Sequence, residues 1–164
     1  VSGLPRAADG VSVTACDGNV TIMSHAHEHI EFVHRSWPAD PEQLVRIRRA
    51  LAGWLTPLAL TEDQIADVVL AVDEAAANAV RHAYGPEESG AVELTLWTEP
   101  ASEEGPATLS IEVVDHGSWR PPAEVPTEGG RGIGLMSTIS ESVLIHYDAR
   151  GSRVLLRHRI PDPG

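Results

Sequence analysis

Between Thr61 and Tyr84 the chain reads as one long amphipathic helix, and that helix dictates what the rest must pack against. The residues TEDQ at 61–64 have the capping-box form, a hydroxyl at the cap with Gln64 three residues on, and Gly85-Pro86 supplies the stop. At about 100° per residue, Ile65, Val68, Val69, Val72, Ala76, Ala79, Val80 and Ala83 fall on one broad stripe. Glu74 and Asn78 fall nearly opposite. Such a polar face is ordinarily a solvated outer surface. Here its flanks are Leu70, Ala71, Ala75 and Ala77 in place of the lysines and glutamates that coat an exposed helix, so this side is expected to be covered as well. A carboxylate and an amide one turn apart in a covered cleft form a base and a metal ligand facing the same bound molecule.

The segments on either side of this helix supply its partners. Residues 1–26 mix Gly, Pro, Ser and Asp with short apolar pieces and no sustained period, which reads as an N-terminal arm or linker. Residues 27–164 form the domain. EHIEFVHRSW (28–37) alternates as a strand, with Ile30 and Phe32 on one side of the pleat. A first helix follows, with Asp40 as N-cap, Pro41 at the first helical position, and Leu44, Ile47, Leu51 and Leu55 as its buried stripe. Strands are expected at 91–98 and 107–115, then a long Pro- and Gly-rich loop at 116–130, a helix from RGIGLMSTISE, and a closing antiparallel pair. The expected fold is a two-layer α/β sandwich with helices on one face of a mixed, largely antiparallel sheet.

Composition narrows the chemistry. The formal charge of −12 argues against general affinity for nucleic acid or acidic membranes and suits a partner with a basic surface. All twelve basic residues are arginine. Without a lysine there is no Walker A loop, no usual protein-kinase nucleotide lysine and no Schiff base. Phosphate must be bound by backbone amides, arginine and metal. Cys16, the only cysteine, permits no internal disulfide. No apolar run approaches membrane-spanning length and no secretory signal is visible, so a cytoplasmic protein is expected.

Two further motifs carry chemistry. In VVDHG (113–117) an aspartate leaves a strand into a His-Gly turn. Turn chemistry alone accounts for that pattern; alternatively Asp115 accepts a hydrogen bond from a base or sugar, and Gly117 lets a ligand plane approach. GGRGIGL (129–135) sets closely spaced glycines directly before a helix, where clustered amide donors and the helix dipole make a phosphate site, with Arg131 adding positive charge. The run HAHEH (25–29) is read as solvated histidines rather than a metal site, and the four tryptophans as core or loop packing.

The order of these pieces resembles the nucleotide-binding domain of the GHKL superfamily, the Bergerat fold shared by gyrase, histidine kinases and MutL. The wording DEAAANAVRHAY and the final strand GSRVLL look most like bacterial anti-sigma factor serine/threonine kinases. The resemblance covers roughly residues 28–160. It implies ATP and Mg²⁺ as cofactors, with Glu74 as the catalytic carboxylate and Asn78 as the Mg²⁺-binding amide. It implies that Asp115 accepts from the adenine amino group beside Gly117, and that Gly130, Arg131, Gly132, Ile133, Gly134 and Leu135 lie under the phosphates. Residues 118–129 would be the ATP lid, and Ser152 falls where many relatives carry a threonine near the nucleotide. The departure is at Trp119, where many members have a second glycine. The implied partners are a sigma factor, sequestered by the kinase, and an anti-anti-sigma factor, phosphorylated on Ser or Thr, with a homodimer expected. A sequestering module without kinase activity and an ATP hydrolase are the alternatives.

Overall fold

Apolar residues at every second position build the central strands, most regularly in Val92, Leu94 and Leu96. The computed structural model describes residues 11–16, 19–24, 29–103, 105–118 and 129–161. Its elements in chain order are β1 (Val11–Cys16), β2 (Asn19–Ser24), β3 (His29–Pro38), α1 (Gln43–Leu55), α2 (Glu62–His82), β4 (Ala91–Glu99), β5 (Thr108–Asp115), α3 (Gly129–Ile139), β6 (Ser142–Asp148) and β7 (Gly151–Arg159). The strands form one sheet in the order β1-β2-β3-β4-β5-β7-β6. Every ladder is antiparallel, so the parallel component of a mixed sheet is absent among the described residues. The reason is connectivity. Helices α1 and α2 are inserted between the neighbouring antiparallel strands β3 and β4, whereas α3 crosses from β5 to β6, and β7 fills the place between those two strands antiparallel to both.

The stretch read as an arm contributes β1 and β2, an antiparallel pair that extends the sheet beyond β3. These strands are six residues each and the β2 register shifts between Ile22 and Met23, which is why no sustained period shows in the sequence. His25 and His27 of the histidine run lie outside the described residues.

One face of the sheet carries Val33 and Trp37 of β3, Val92, Leu94 and Leu96 of β4, Leu109, Ile111 and Val113 of β5, and Val154 and Leu156 of β7. All are buried against Ile47, Leu51 and Leu55 of α1, Val68, Val72, Ala76 and Ala79 of α2, and Met136 of α3. Each fully buried leucine contributes about 1.5–3 kcal/mol of transfer free energy. On β3 the buried face is that of Val33 and Trp37, while Phe32 lies on the other, half-exposed side. The tryptophans at 37 and 54 meet with ring centroids 6.0 Å apart, and the Arg35 guanidinium sits over both.

Helix α2 starts as its sequence dictates: Thr61 Oγ1 accepts from Gln64 N at 3.2 Å and Gln64 Oε1 accepts from Thr61 N at 2.9 Å. Helix α1 does not. Its N-cap is Glu42, with no side-chain cap. Asp40 Oδ1 instead accepts from Glu42 N at 2.9 Å, closing a turn through Pro41 before the helix begins.

At the end of the sheet near Thr108, His158 is 8% exposed and its Nε2 is hydrogen-bonded to Ser140 Oγ at 3.3 Å, just past the end of α3. Burial pushes the imidazole pKa below 6.5, outweighing the fields of Asp67 and Glu141, which act the other way. The folded state therefore holds a neutral His158 where the unfolded chain takes up a proton. Its contribution is complete above about pH 6.5 and is lost as pH falls from there through the lowered folded value. Unfolding free energy is expected to fall with acidification in that window more steeply in the wild type than in His158→Gln, by at most about 1.4 kcal/mol per pH unit at the limit of one proton. Parallel curves for the two proteins between pH 5 and 7 would refute this assignment.

Candidate functional site

Helix α2 runs between α1 on one flank and α3 on the other, over the sheet. The α1 flank is pinned by Arg48, whose Nη1 donates to both carboxylate oxygens of Asp73 at 3.0 Å. Glu74, the next residue, takes no part in this pair. Glu74 and Asn78 stand one turn apart, about 6 Å along the axis, on the outer side of α2, and both are half-buried. Neither side chain hydrogen-bonds another described residue. Of the flanking residues expected to be covered, Ala71, Ala75 and Ala77 are buried and Leu70 is 46% exposed. The cover is thus real on the alanines and stops at Leu70.

The end of β5 gathers the second group. Asp115 is 2% exposed and directly opposite Ser152 in the ladder with β7. Its Oδ1 accepts from Gly117 N at 3.1 Å and Ser152 N at 3.2 Å, and its Oδ2 accepts from Ser152 Oγ. Three donors therefore lock one carboxylate in a single orientation. Ser152, expected near the nucleotide, is brought onto Asp115 by register alone.

Glycine at 117 has a reason other than ligand approach. A Cβ there would lie 1.9 Å from the Ala83 carbonyl oxygen, at the C-cap of α2, so the turn after Asp115 presses on the helix end. Gly151, absent from the sequence reading as a site residue, has φ +137° and its Cβ would lie 1.9 Å from the Asp115 carbonyl oxygen. Only glycine fits that approach. Tyr84 was likewise unsignalled: its hydroxyl accepts from His116 N at 2.9 Å and donates to the Ala91 carbonyl at 2.7 Å.

Helix α3 opens at Gly129, so Gly130, Arg131, Gly132 and Ile133 lie inside its first turns, not ahead of them as the sequence suggests. The glycine run tolerates helix here because the segment packs on α2 and β6. The first amides of α3 have no intrahelical partner and remain donors. The side chains of Arg131 and Ile133 lie outside the described residues. Gly134 is exposed, its carbonyl taken by Thr138 Oγ1 at 2.8 Å, and Leu135 is half-buried beside buried Met136. Of the expected lid, residues 119–128, including Trp119, lie outside the described residues.

A cavity of about 360 Å³ is lined by Val114, Asp115, His116, His146, Asp148, Arg150, Gly151, Ser152 and Arg153. Val114, Arg153 and His146 share one register row on the face opposite the helices. This cavity does not include Glu74 or Asn78. Within the sheet Arg153 is already paired with Glu112 at 2.7 Å, and His116 Nε2 is hydrogen-bonded to Glu93 at 3.0 Å.

Residues 37–158 match the histidine kinase-like ATPase domain, which spans every element from the end of β3 to β7. The chain belongs to this family. Among its similar relatives, the serine-protein kinase RsbW of Bacillus subtilis strain 168 is 32% identical over 124 residues, 70% of this chain and 78% of that protein. The serine-protein kinase RsbW of Bacillus licheniformis is 30% identical over 159 residues, covering 85% of this chain and 94% of its own. A crystal structure of the RsbU and RsbW domains of a Mycobacterium tuberculosis protein superimposes with a TM-score of 0.62 over 81% of this chain at 23% identity. The present chain spans 33% of that one, and the likeness establishes the α/β fold. The name of the matched domain carries ATP as its nucleotide. No helix among the described residues is long and apolar enough to cross a membrane.

Proposed function

We propose that the chain is an ATP-dependent protein serine/threonine kinase acting as an anti-sigma factor. It binds Mg-ATP, sequesters a sigma factor, and phosphorylates a serine or threonine of an anti-anti-sigma antagonist. The observation that carries this reading is the state of two neighbouring carboxylates: Asp73 is consumed by Arg48, whereas Glu74 is half-buried and uncommitted one turn from Asn78. A pure sequestering module has no use for such a base. The relatives named as serine-protein kinases, matched over most of their length, support the same conclusion.

The residues present fit the nucleotide and its metal. Asp115, fixed by three donors and flanked by glycines at 117 and 151, is an acceptor for the amino group of adenine. The unpaired amides that open α3, at Gly130 and Arg131, would hold the phosphates with the Arg131 guanidinium, and Gly132, Ile133, Gly134 and Leu135 belong to the same turns. Asn78 supplies an oxygen ligand of the type Mg²⁺ takes. When bound, Mg-ATP supplies the phosphoryl group and neutralises the charge on it. Glu74 orients the acceptor hydroxyl and receives its proton, a role within reach of an exposed-side carboxylate on a rigid helix. The acidic body, −12 overall, suits a basic segment of the sigma factor, and the working form is a homodimer in the cytoplasm.

Calorimetric titration of Mg·ATP tests the pocket. The wild type is expected to bind saturably, and Asn78→Ala to weaken binding about tenfold or more in Mg²⁺ but far less in EDTA, because only the metal-mediated part is lost. Wild-type protein that binds no ATP would sink the kinase reading and leave the sequestering module in its place.

A further inference from the structure

Tyr84, one residue past the C-cap of α2, is not among the site residues expected from the sequence, yet its hydroxyl reaches the turn that follows Asp115. The last ladder pair between β4 and β5 is Val92 with Asp115, so the next step would oppose Ala91 and His116. The Tyr84 hydroxyl stands between them, taking the His116 N–H at 2.9 Å and giving its proton to the Ala91 carbonyl at 2.7 Å. A phenol is thus wedged into the ladder where a direct backbone bond would otherwise serve. Satisfying the two backbone groups did not need it, since they could pair with each other.

What the wedge changes is the path of the chain after Asp115. The turn runs from His116, held by Tyr84, to Gly117, whose backbone rests on the carbonyl of Ala83. Two consecutive residues at the end of α2 therefore grip the two residues that follow Asp115. Gly117 N in turn donates to Asp115 Oδ1 at 3.1 Å, so the grip passes directly to the carboxylate. The ring itself is seated against Gly90, where a Cβ would lie 2.2 Å from it.

We infer that Tyr84 is a positioning residue for base recognition: its hydroxyl sets the turn that aims the Asp115 carboxylate at the base. The inference rests on the nucleotide reading proposed above and adds a residue to it. Tyr84→Phe keeps the ring and removes only the wedge's hydrogen bonds. ATP affinity is expected to fall about tenfold, while the weaker affinity for GTP, which offers no amino group at the same position of the base, stays within about twofold. A merely structural role would lower stability or weaken both nucleotides alike. Gly90→Ala, which displaces the ring while keeping the hydroxyl, is expected to show the same selective loss.

The experiment is competitive calorimetry of ATP and GTP on the full chain, with melting temperature recorded for each variant. An ATP-to-GTP preference unchanged in folded Tyr84→Phe overturns the inference and leaves the nucleotide site standing. If that variant fails to fold, Gly90→Ala decides on the same criterion. A wild type with no preference for ATP takes down both the inference and the reading beneath it.

Discussion

Replacing Glu74 with glutamine is expected to reduce phosphoryl transfer by about 10²–10⁴-fold while leaving ATP affinity within about threefold of wild type. The substitution is nearly isosteric, and Glu74 makes no hydrogen bond to another described residue that folding would miss. Nor does it touch the neighbouring link between helices, which belongs to Arg48 and Asp73. What disappears is a group that can accept a proton. An amide can still orient a hydroxyl, so the residual rate reports orientation alone and the lost part reports proton transfer. Single-turnover transfer from labelled ATP to the antagonist, beside a calorimetric titration, separates the two. Undiminished transfer would remove Glu74 from the mechanism; loss of binding together with transfer would make it a nucleotide-holding residue. The same protein assayed without antagonist reports whether the carboxylate also activates water.

How much of this could be read from the chain alone differs from element to element. Helix α2 was fully legible because its signals are local: the cap at Thr61 and Gln64, the stripe from Val68 to Ala83, the stop at Gly85. β4 was legible because its burial alternates over most of its nine residues, and β5 because Leu109, Ile111 and Val113 recur at every second position before the doublet at Val114. The hairpin of β1 and β2 was not, since six-residue strands with a register shift leave too few repeats to establish a period. Asp40 misled for a different reason. An aspartate before a proline satisfies an Asx turn as readily as a helix cap, and here Asp40 closes the turn while α1 begins after Glu42.

The site divides the same way. Glu74 and Asn78 share a helix, so spacing alone brings them together. Asp115 and Ser152 are 37 residues apart, and only the β5 and β7 register makes them a pair. For Gly117 the sequence offers ligand approach as the reason for a glycine, and the fold supplies another, the Ala83 carbonyl that a Cβ would meet. Gly151 and Tyr84 left no mark at all, because a positive φ and a hydroxyl wedged between two strands are properties of the assembled turn.

That assembled turn makes Asp115→Asn the second large effect. The two backbone N–H groups of Gly117 and Ser152 cannot rotate, so the remaining oxygen of an asparagine must stay with them. The amide nitrogen then takes the place of Oδ2. Ser152 Oγ, which donates to Oδ2 in the wild type, can turn to accept from that nitrogen, so the fold survives at a cost of about 1–2 kcal/mol. The base has no such freedom. Its amino group would meet a donor where it needs an acceptor, and a site built around one hydrogen bond rejects a ligand that finds it reversed. ATP affinity is expected to fall by about 100-fold or more, against about fivefold or less for Ser152→Ala, which only loosens the carboxylate. Calorimetry on both variants, with melting curves to show that each is folded, makes the comparison. If Asp115→Asn binds ATP like the wild type, adenine is not recognised at the end of β5, and the three donors on Asp115 serve only to close the turn.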